Sequence, residues 1–256
     1  HMGPETTANK QGIKRFQTII GDGNWPAQTT HPTLATATSV FAGYSKAPPE
    51  AADEILQHYL RYLKRAAQFG LVNDHTNKEG FVVSSDSDWA GLYSTTGETR
   101  SRSGSCITLD GMPISWGSQH QKCVGTSYKE GLDEAEVAQS SAEGELYAAA
   151  DTLKLALHMS YVADELNIPM PSPLIMLVDA TAAIGKIQGP RGGGKLKHID
   201  LRQDWIKLLK NRKIVEVVKV PGEANPADCF TKILGRVAFN KSESELMGRI
   251  DDDGRK

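Results

Sequence analysis

Cysteine is scarce in this 256-residue chain, which also lacks a long apolar run and an excess of basic residues. The three cysteines are scattered and form no Cys-x-x-Cys pair, which argues against a disulfide framework or a zinc cluster and favours a reducing compartment. No run of about 18 apolar residues occurs, so no transmembrane helix is expected. The formal net charge of −2 argues against a protein held on nucleic acid by overall charge alone, although a local basic patch or bound metal ions could still bind it.

Four regions follow from composition and periodicity. The first residues read as an expression tag and a disordered leader, and a later stretch with Ile55, Leu56 and Tyr59 at helical spacing predicts a helical region. Alternating strand and helix patterns follow, and the chain closes on a mainly polar segment. The predicted regions are residues 1–14 for the leader, 15–78 for the helical region, 79–241 for an α/β domain and 242–256 for a polar tail.

The α/β region begins with three strand patterns that predict an antiparallel meander. The second and third of them flank Asp110-Gly111, a strong hairpin-turn signal. A helix then opens at Ser140 with Glu143 in a capping box, and its expected buried stripe is Leu146, Ala150, Leu153, Leu157 and Tyr161. The apolar run 174–178 predicts a central strand covered on both faces. After it come a helix, a Gly-rich loop, another helix, a last strand at 214–220 and a final helix opened by Asp228. The order βββαβαβα predicts the α/β class.

Carboxylates stand at four special places in this pattern. Asp86 ends the first strand, Glu145 lies in the first turn of the long helix, Asp179 ends the central strand, and Asp228 opens the last helix. Strand ends and helix starts can meet at one sheet edge, where α/β proteins bind ligands. Clustered carboxylates repel one another unless cations neutralise them, and oxygen ligands favour Mg²⁺ or Mn²⁺. Alternatively, Asp179 caps the following helix, and Asp228 interacts with a helix dipole.

The motifs around these acids closely resemble those of the ribonuclease H domain of copia-type retrotransposon polyproteins. They are Ser85–Gly91, Pro113–Trp116, Ser141–Tyr147, Lys197–Asp200 and Ala227–Lys232, and they occur in that family's order. Upstream, Ile19–Gly21, Thr30–Pro32 and Leu60–Lys64 resemble the thumb and connection region of the same family's reverse transcriptase. Each motif is weak alone, but together they cover about residues 15 to 250.

The resemblance implies a ribonuclease H-like fold: a five-stranded mixed sheet of three antiparallel and then two parallel strands, flanked by helices. It implies hydrolysis of the RNA strand of RNA–DNA hybrids with two Mg²⁺ or Mn²⁺ ions, at catalytic and metal-binding residues Asp86, Glu145, Asp179 and Asp228. The implied partners are the hybrid and the rest of the reverse transcriptase polyprotein, with no membrane. The implied location is intracellular, in a cytoplasmic particle or the nucleus.

A basic group beside the Gly-rich loop is the predicted substrate-binding site. Lys195, Lys197 and Arg202 are predicted to bind phosphate groups of the substrate, and His198 is either a substrate contact or part of a helix start. The chain departs from the family's pattern in two places. The segment 121–139 is longer than expected, and Gly144 stands where the family more often has Ala. The rival functions are a non-catalytic nucleic-acid-binding or scaffolding module of the same fold and a transposase or integrase of the same superfamily.

Overall fold

The computed structural model describes residues 7–73, 76–77, 79–88, 101–121, 141–189 and 197–249. At residues 7–9, 197–200 and 249 the description is limited to the backbone. The chain divides into two compact units, one formed by residues 1–73 with 233–256 and the other by residues 74–232. In the described part of the chain, none of the helices combines the length and the apolar composition needed to cross a bilayer.

The described elements comprise helices, strands and three short 3-10 turns. The helices are α1 (Thr7–Thr29), α2 (Ala35–Gly43), α3 (Ala52–Ala66), α4 (Ser141–Glu165), α5 (Thr181–Gln188), α6 (Lys197–Asn211) and α7 (Arg236–Leu246). The strands are β1 (Phe69–Gly70), β2 (Phe81–Asp88), β3 (Arg102–Leu109), β4 (Met112–His120), β5 (Leu174–Val178), β6 (Val215–Lys219) and β7 (Gly248–Arg249). The 3-10 turns are Pro32–Leu34, Gly222–Ala224 and Asp228–Phe230.

The first unit is mainly helical, and its first helix starts earlier than expected. The leader predicted at residues 1–14 is wrong from Thr7 onward, because α1 already begins there and continues to Thr29. Buried Phe16 and Ile20 anchor it in a core shared with α3. The helix also runs through Gly21-Asp22-Gly23 without a break. Gly23 faces Tyr59 so closely that a Cβ atom would lie 2.2 Å from the tyrosine hydroxyl, so this glycine permits close packing.

The C-terminal helix α7 belongs to the helical unit, which corrects the boundary predicted between residues 241 and 242. Glu243 in α7 is buried and accepts a 2.9 Å hydrogen bond from Tyr62 Oη, and it also pairs with Arg65. Phe239 packs edge-on against the Tyr62 ring with 5.4 Å between ring centroids. A helix whose buried Glu243 pairs with two residues of α3 is not divided between a domain and a solvated tail.

The second unit contains a five-stranded sheet in the order β4-β3-β2-β5-β6. Strands β2, β3 and β4 pair antiparallel, whereas β5 pairs parallel to β2 and to β6. The turn between β3 and β4 is Asp110-Gly111, with φ of 49° and 79° at the two residues. The predicted α/β class and the predicted mixed sheet of three antiparallel and two parallel strands are confirmed.

Helix α4 covers the centre of this sheet. Leu146, Ala150 and Leu153 are fully buried as predicted, in a core with Val83 of β2 and Met176 of β5. The stripe prediction fails at its far end: Leu157 is only partly buried, and Tyr161 is 65% exposed. Among the residues of α4 after Ala156, Ala163 alone is buried, so the last turns of the helix have left the core.

Candidate active site

Three elements bring carboxylates to one edge of the sheet. Asp86 lies in β2, in a run from Phe81 to Ser87 that is buried throughout. Glu145 is the fifth residue of α4 and is also buried, and half-buried Asp179 directly follows β5. Since β2 and β5 are parallel neighbours, their carboxyl ends point to the same edge.

The carboxylates of Asp86, Glu145 and Asp179 converge. One oxygen from each lies within 4.8 Å of the others. Glu145 and Asp179 follow Asp86 by 59 and 93 positions in the chain, so the packing of α4 on the sheet and the pairing of β2 with β5 bring them together. Three of the four predicted acids therefore meet through tertiary folding.

Burial and mutual repulsion make this cluster electrostatically costly. Burial, together with the negative charges of Asp86 and Asp179, raises the pKa of Glu145 to about 9, although a hydrogen bond from the Ser87 backbone opposes the shift. Burial likewise raises the pKa of Asp86. Glu145 Oε2 is buried without a hydrogen-bond partner in the structure. A buried oxygen without a partner is costly in a folded protein, and this atom is available to bind a cation.

Asp228 lies at the start of the 3-10 turn Asp228–Phe230, so the longer helix predicted from this residue is wrong. It does not belong to the group of three acids within 4.8 Å. Its carboxylate instead pairs with the ammonium group of Lys232, whose Nζ also lies 3.8 Å from Asp86 Oδ2. Burial lowers the pKa of Lys232, but the hydrogen bond to Asp228 and the nearby carboxylates outweigh it and raise the pKa overall. The fourth acid is thus linked to the other three through a lysine.

Two further side chains fix the turn against the sheet. Asn225 Nδ2 donates a 2.9 Å hydrogen bond to the backbone carbonyl of Ser85, and Asn225 Oδ1 accepts one of 3.1 Å from the Ala227 N–H. The hydroxyl of Thr231 donates to Asp86 Oδ2. From the sequence, Asn225 was predicted only as a helix N-cap, and neither it nor Thr231 and Lys232 was predicted to act in the site. The available signal was the spacing of Thr231 and Lys232, three and four residues after Asp228, where a turn returns the chain to the same side.

Glycines allow both the turn and helix α4 to approach the sheet closely. A Cβ atom on Gly144 would lie 2.4 Å from Ser87 Oγ, which gives a physical reason for the glycine at this departure from the family's pattern. Gly104 pairs with Asp86 across β2 and β3. A Cβ atom there would lie 2.7 Å from the Ala227 carbonyl oxygen and 2.8 Å from Thr231 Cγ2. Close packing at Gly104 thus places the turn beside Asp86.

The Gly104→Ala variant should be less stable than the wild type by about 1–3 kcal/mol, the usual cost of overpacking. The added methyl group meets a backbone oxygen that cannot rotate away, so the turn that carries Asp228 has to shift. Gly185→Ala is the matched control, because its Cβ atom would meet no other atom within 4 Å. In the interior of α5 it should stabilise the protein by up to about 1 kcal/mol. Urea denaturation measures both, and equal stability of Gly104→Ala and wild type would contradict the packing role of Gly104.

The predicted substrate-binding residues are only partly described. Lys195 lies outside the described residues, and the side chains of Lys197 and His198, in the first turn of α6, do so as well. Arg202 is described: its guanidinium stacks over the Tyr147 ring at 4.3 Å and lies 3.2 Å from Asp151 Oδ1. These contacts connect α6 with α4. Substrate binding by the four residues stays a prediction. Most of the 121–139 segment is also outside the described residues.

The described acids fit a divalent metal ion. Three carboxylates within 4.8 Å offer only oxygen atoms, which suit a hard cation such as Mg²⁺ or Mn²⁺. The unpartnered Glu145 Oε2 provides a ligand atom that is otherwise unsatisfied. A bound cation would offset both the repulsion among the acids and the cost of burying them.

No protein-family model matches the chain. The chain is 27% identical over 251 residues, or 96% of its length, to the retrovirus-related Pol polyprotein from transposon TNT 1-94 of Nicotiana tabacum. Over 90% of its length it is 29% identical to the corresponding polyprotein from transposon RE2 of Arabidopsis thaliana. The chain is homologous to copia-type retrotransposon Pol polyproteins. This confirms the resemblance that the sequence motifs indicated.

The homologous Pol segment is a small part of those proteins. The chain spans 17% of the length of the TNT 1-94 polyprotein and 15% of the RE2 polyprotein. Among solved structures, a ribonuclease H1 isolated from compost matches 64% of this chain and 97% of its own, with 17% identity and a TM-score of 0.39.

Proposed function

We propose that the α/β unit is a ribonuclease H that hydrolyses the RNA strand of RNA–DNA hybrids, as part of a retrotransposon reverse transcriptase. The observation that carries this proposal is the convergence of Asp86, Glu145 and Asp179 at the sheet edge, with a buried oxygen of Glu145 left without a partner. Homology to Pol polyproteins supports the same reading. The proposed catalytic residues are these three acids and Asp228.

Asp86, Glu145 and Asp179 would hold one divalent cation, and Asp228 would join Asp86 in holding a second. Bound cations would supply Lewis-acid chemistry, which lowers the pKa of water and stabilises charge on phosphate oxygens. The protein's own groups prepare the site. Thr231 fixes the orientation of Asp86 through its hydroxyl, and Asn225 ties the turn that carries Asp228 to β2. Burial of Asp86 and Glu145 keeps competing water away from their carboxylates.

Substrate recognition would depend on the shape of the hybrid. Contacts to the two backbones and to RNA 2′-hydroxyl groups distinguish a hybrid from a DNA duplex without reading its sequence. Because the net charge of the chain is −2, binding of the hybrid would require a local basic surface. The residues proposed to form this surface are Lys195, Lys197, His198 and Arg202. The helical unit would be the thumb and connection portion of the reverse transcriptase, in contact with the rest of the polyprotein.

Incubation of the complete 256-residue chain with an end-labelled hybrid tests the proposal. We expect internal cuts in the RNA strand that require Mg²⁺ or Mn²⁺, leave 3′-hydroxyl and 5′-phosphate ends, and disappear in a chelator. Single-stranded RNA and a DNA duplex of the same sequence are the controls and should stay intact. Binding of the hybrid without any cut would instead support a non-catalytic module, and cuts in the DNA duplex would support a transposase or integrase.

A further inference from the structure

Lys232 is the cationic side chain that the structure places among the proposed metal ligands. Within the described residues, the ion pairs recorded for the four acids all involve this lysine. Its ammonium group pairs with Asp228 and lies 3.8 Å from Asp86 Oδ2, so it bridges the acid in the turn and the acid in β2. The side chain of Asp86 is 2% exposed, whereas that of Lys232 is 44% exposed. A partly exposed ammonium group thus lies beside a buried carboxylate.

We propose that Lys232 is an internal counter-ion that neutralises Asp86 and Asp228 in the metal-free protein and is displaced when a divalent cation binds these two acids. Lys232 would thereby set the affinity of the second cation site. This inference rests on the proposed function, because it assumes that Asp86 and Asp228 are metal ligands. It adds a residue that competes with the metal instead of holding it.

The competition follows from where the charges lie. A divalent cation between Asp86 and Asp228 would bind the carboxylate oxygens that now contact the Lys232 ammonium group. The two positive charges would repel each other there, so they compete for the same oxygens. Asp86, Glu145 and Asp179, by contrast, have oxygens within 4.8 Å of one another and converge without Asp228. The three-acid site should therefore fill at lower metal concentration than the site that includes Asp228.

Displacement of the lysine is feasible because its side chain is partly solvated. Lysine carries its charge on a flexible four-carbon stem and regains hydration when the ammonium group turns outward. Asp86 remains oriented in the meantime, since Thr231 donates a hydrogen bond to it independently of Lys232. The turn also stays in place, because Asn225 holds it through the Ser85 carbonyl. Only the lysine side chain has to move.

Titration of the metal-free full chain with Mg²⁺, followed by calorimetry without any nucleic acid, tests this inference. The Lys232→Met variant keeps much of the length of the side chain but removes its charge. Because the competing charge is removed, this variant should bind the more weakly held Mg²⁺ ion at least about threefold more tightly than the wild type. For scale, a tenfold change in affinity corresponds to about 1.4 kcal/mol. Lys232→Arg keeps a cation and should retain wild-type affinity or bind more weakly.

Lys186→Met is the matched control. Lys186 lies 3.7 Å from Glu143, which precedes Glu145 by two residues, but it pairs with none of the four acids in the described structure. Its loss should leave both affinities unchanged. Unchanged or weaker Mg²⁺ binding by Lys232→Met, with normal binding by the wild type, would overturn the inference and leave the proposed function standing. Absence of Mg²⁺ binding by the wild type would instead count against the proposed metal site itself.

A second measurement covers the case in which Lys232→Met does not fold. Nitrogen-15 labelling of lysine allows the Nζ signal of Lys232 to be observed in the wild type and assigned through its loss in Lys232→Arg. We expect this signal to move as Mg²⁺ fills the second site and the ammonium group leaves the carboxylates. A signal that stays in place while both ions bind would overturn the displacement. A signal that moves only after hybrid is added would assign Lys232 to a substrate phosphate and would overturn it equally.

Discussion

The Asp179→Asn variant should cleave an RNA–DNA hybrid about a thousandfold more slowly than the wild type, or not at all, while keeping its fold. The amide retains the shape of the side chain but loses the charge that would hold a cation against Asp86 and Glu145. A metal ion contributes several kcal/mol of charge stabilisation in such reactions, and each 1.36 kcal/mol of barrier corresponds to about a tenfold change in rate. Single-turnover cleavage in Mg²⁺ measures the effect.

The same substitution should stabilise the metal-free protein. The Asp179 charge adds to burial in raising the pKa values of Asp86 and Glu145, so its removal relieves repulsion. A gain of about 1 kcal/mol would raise the melting temperature by roughly 2–4 °C. Asp164→Asn on the exposed side of α4 is the control and should change neither rate nor melting temperature. Wild-type cleavage by Asp179→Asn would remove Asp179 from the site, whereas lower activity with lower stability would indicate a structural role.

Local patterns allowed much of the α/β unit to be predicted from the sequence. The apolar run at 174–178 predicted a central strand, and Asp110-Gly111 predicted the tight turn between β3 and β4, because both depend on residues adjacent in the chain. Asp86 and Asp179 were predicted at strand ends for the same reason. Their approach in space followed from a general property of parallel strands, whose carboxyl ends share one edge.

Features that depend on distant packing could not be predicted in this way. The charge of Glu243 in α7 favours an exposed position when the sequence is considered alone. The pairing of Glu243 with Tyr62 and Arg65 explains why this acid is buried. Lys232 similarly reads as an ordinary surface lysine until the turn places it beside Asp86, a residue 146 positions earlier in the chain. Long, flexible side chains find such partners through the fold, and their local sequence carries little sign of it.

The metal-free wild type should lose stability as the pH rises from about 5 to about 9, and Glu145→Gln should remove the part of this loss that Glu145 causes, while Asp86, whose pKa burial also raises, keeps its own part. The pKa of Glu145 is raised to about 9 in the folded protein, whereas an exposed glutamate titrates near 4.3. Between these values the folded state keeps a proton that the unfolded state has released. The free energy of unfolding then falls as the pH increases, because the folded state binds more protons. Lys232, whose raised pKa favours the folded state below the ordinary lysine value, does not titrate in this range.

Thermal unfolding of both proteins from pH 5.5 to pH 8.5, with and without Mg²⁺, measures this linkage. Since each pKa unit corresponds to about 1.4 kcal/mol, the metal-free variant should exceed the wild type by at least about 2 kcal/mol at the upper end, and the two should converge at the lower end. Mg²⁺ should stabilise the wild type far more at pH 8.5 than at pH 5.5, because metal ligation requires the ionised carboxylate and displaces its proton. Glu145→Gln should lose most of this stabilisation. Parallel pH profiles for the two metal-free proteins would show that Glu145 is not protonated at neutral pH. Equal stabilisation of the wild type by Mg²⁺ at both pH values would count against Glu145 as a metal ligand.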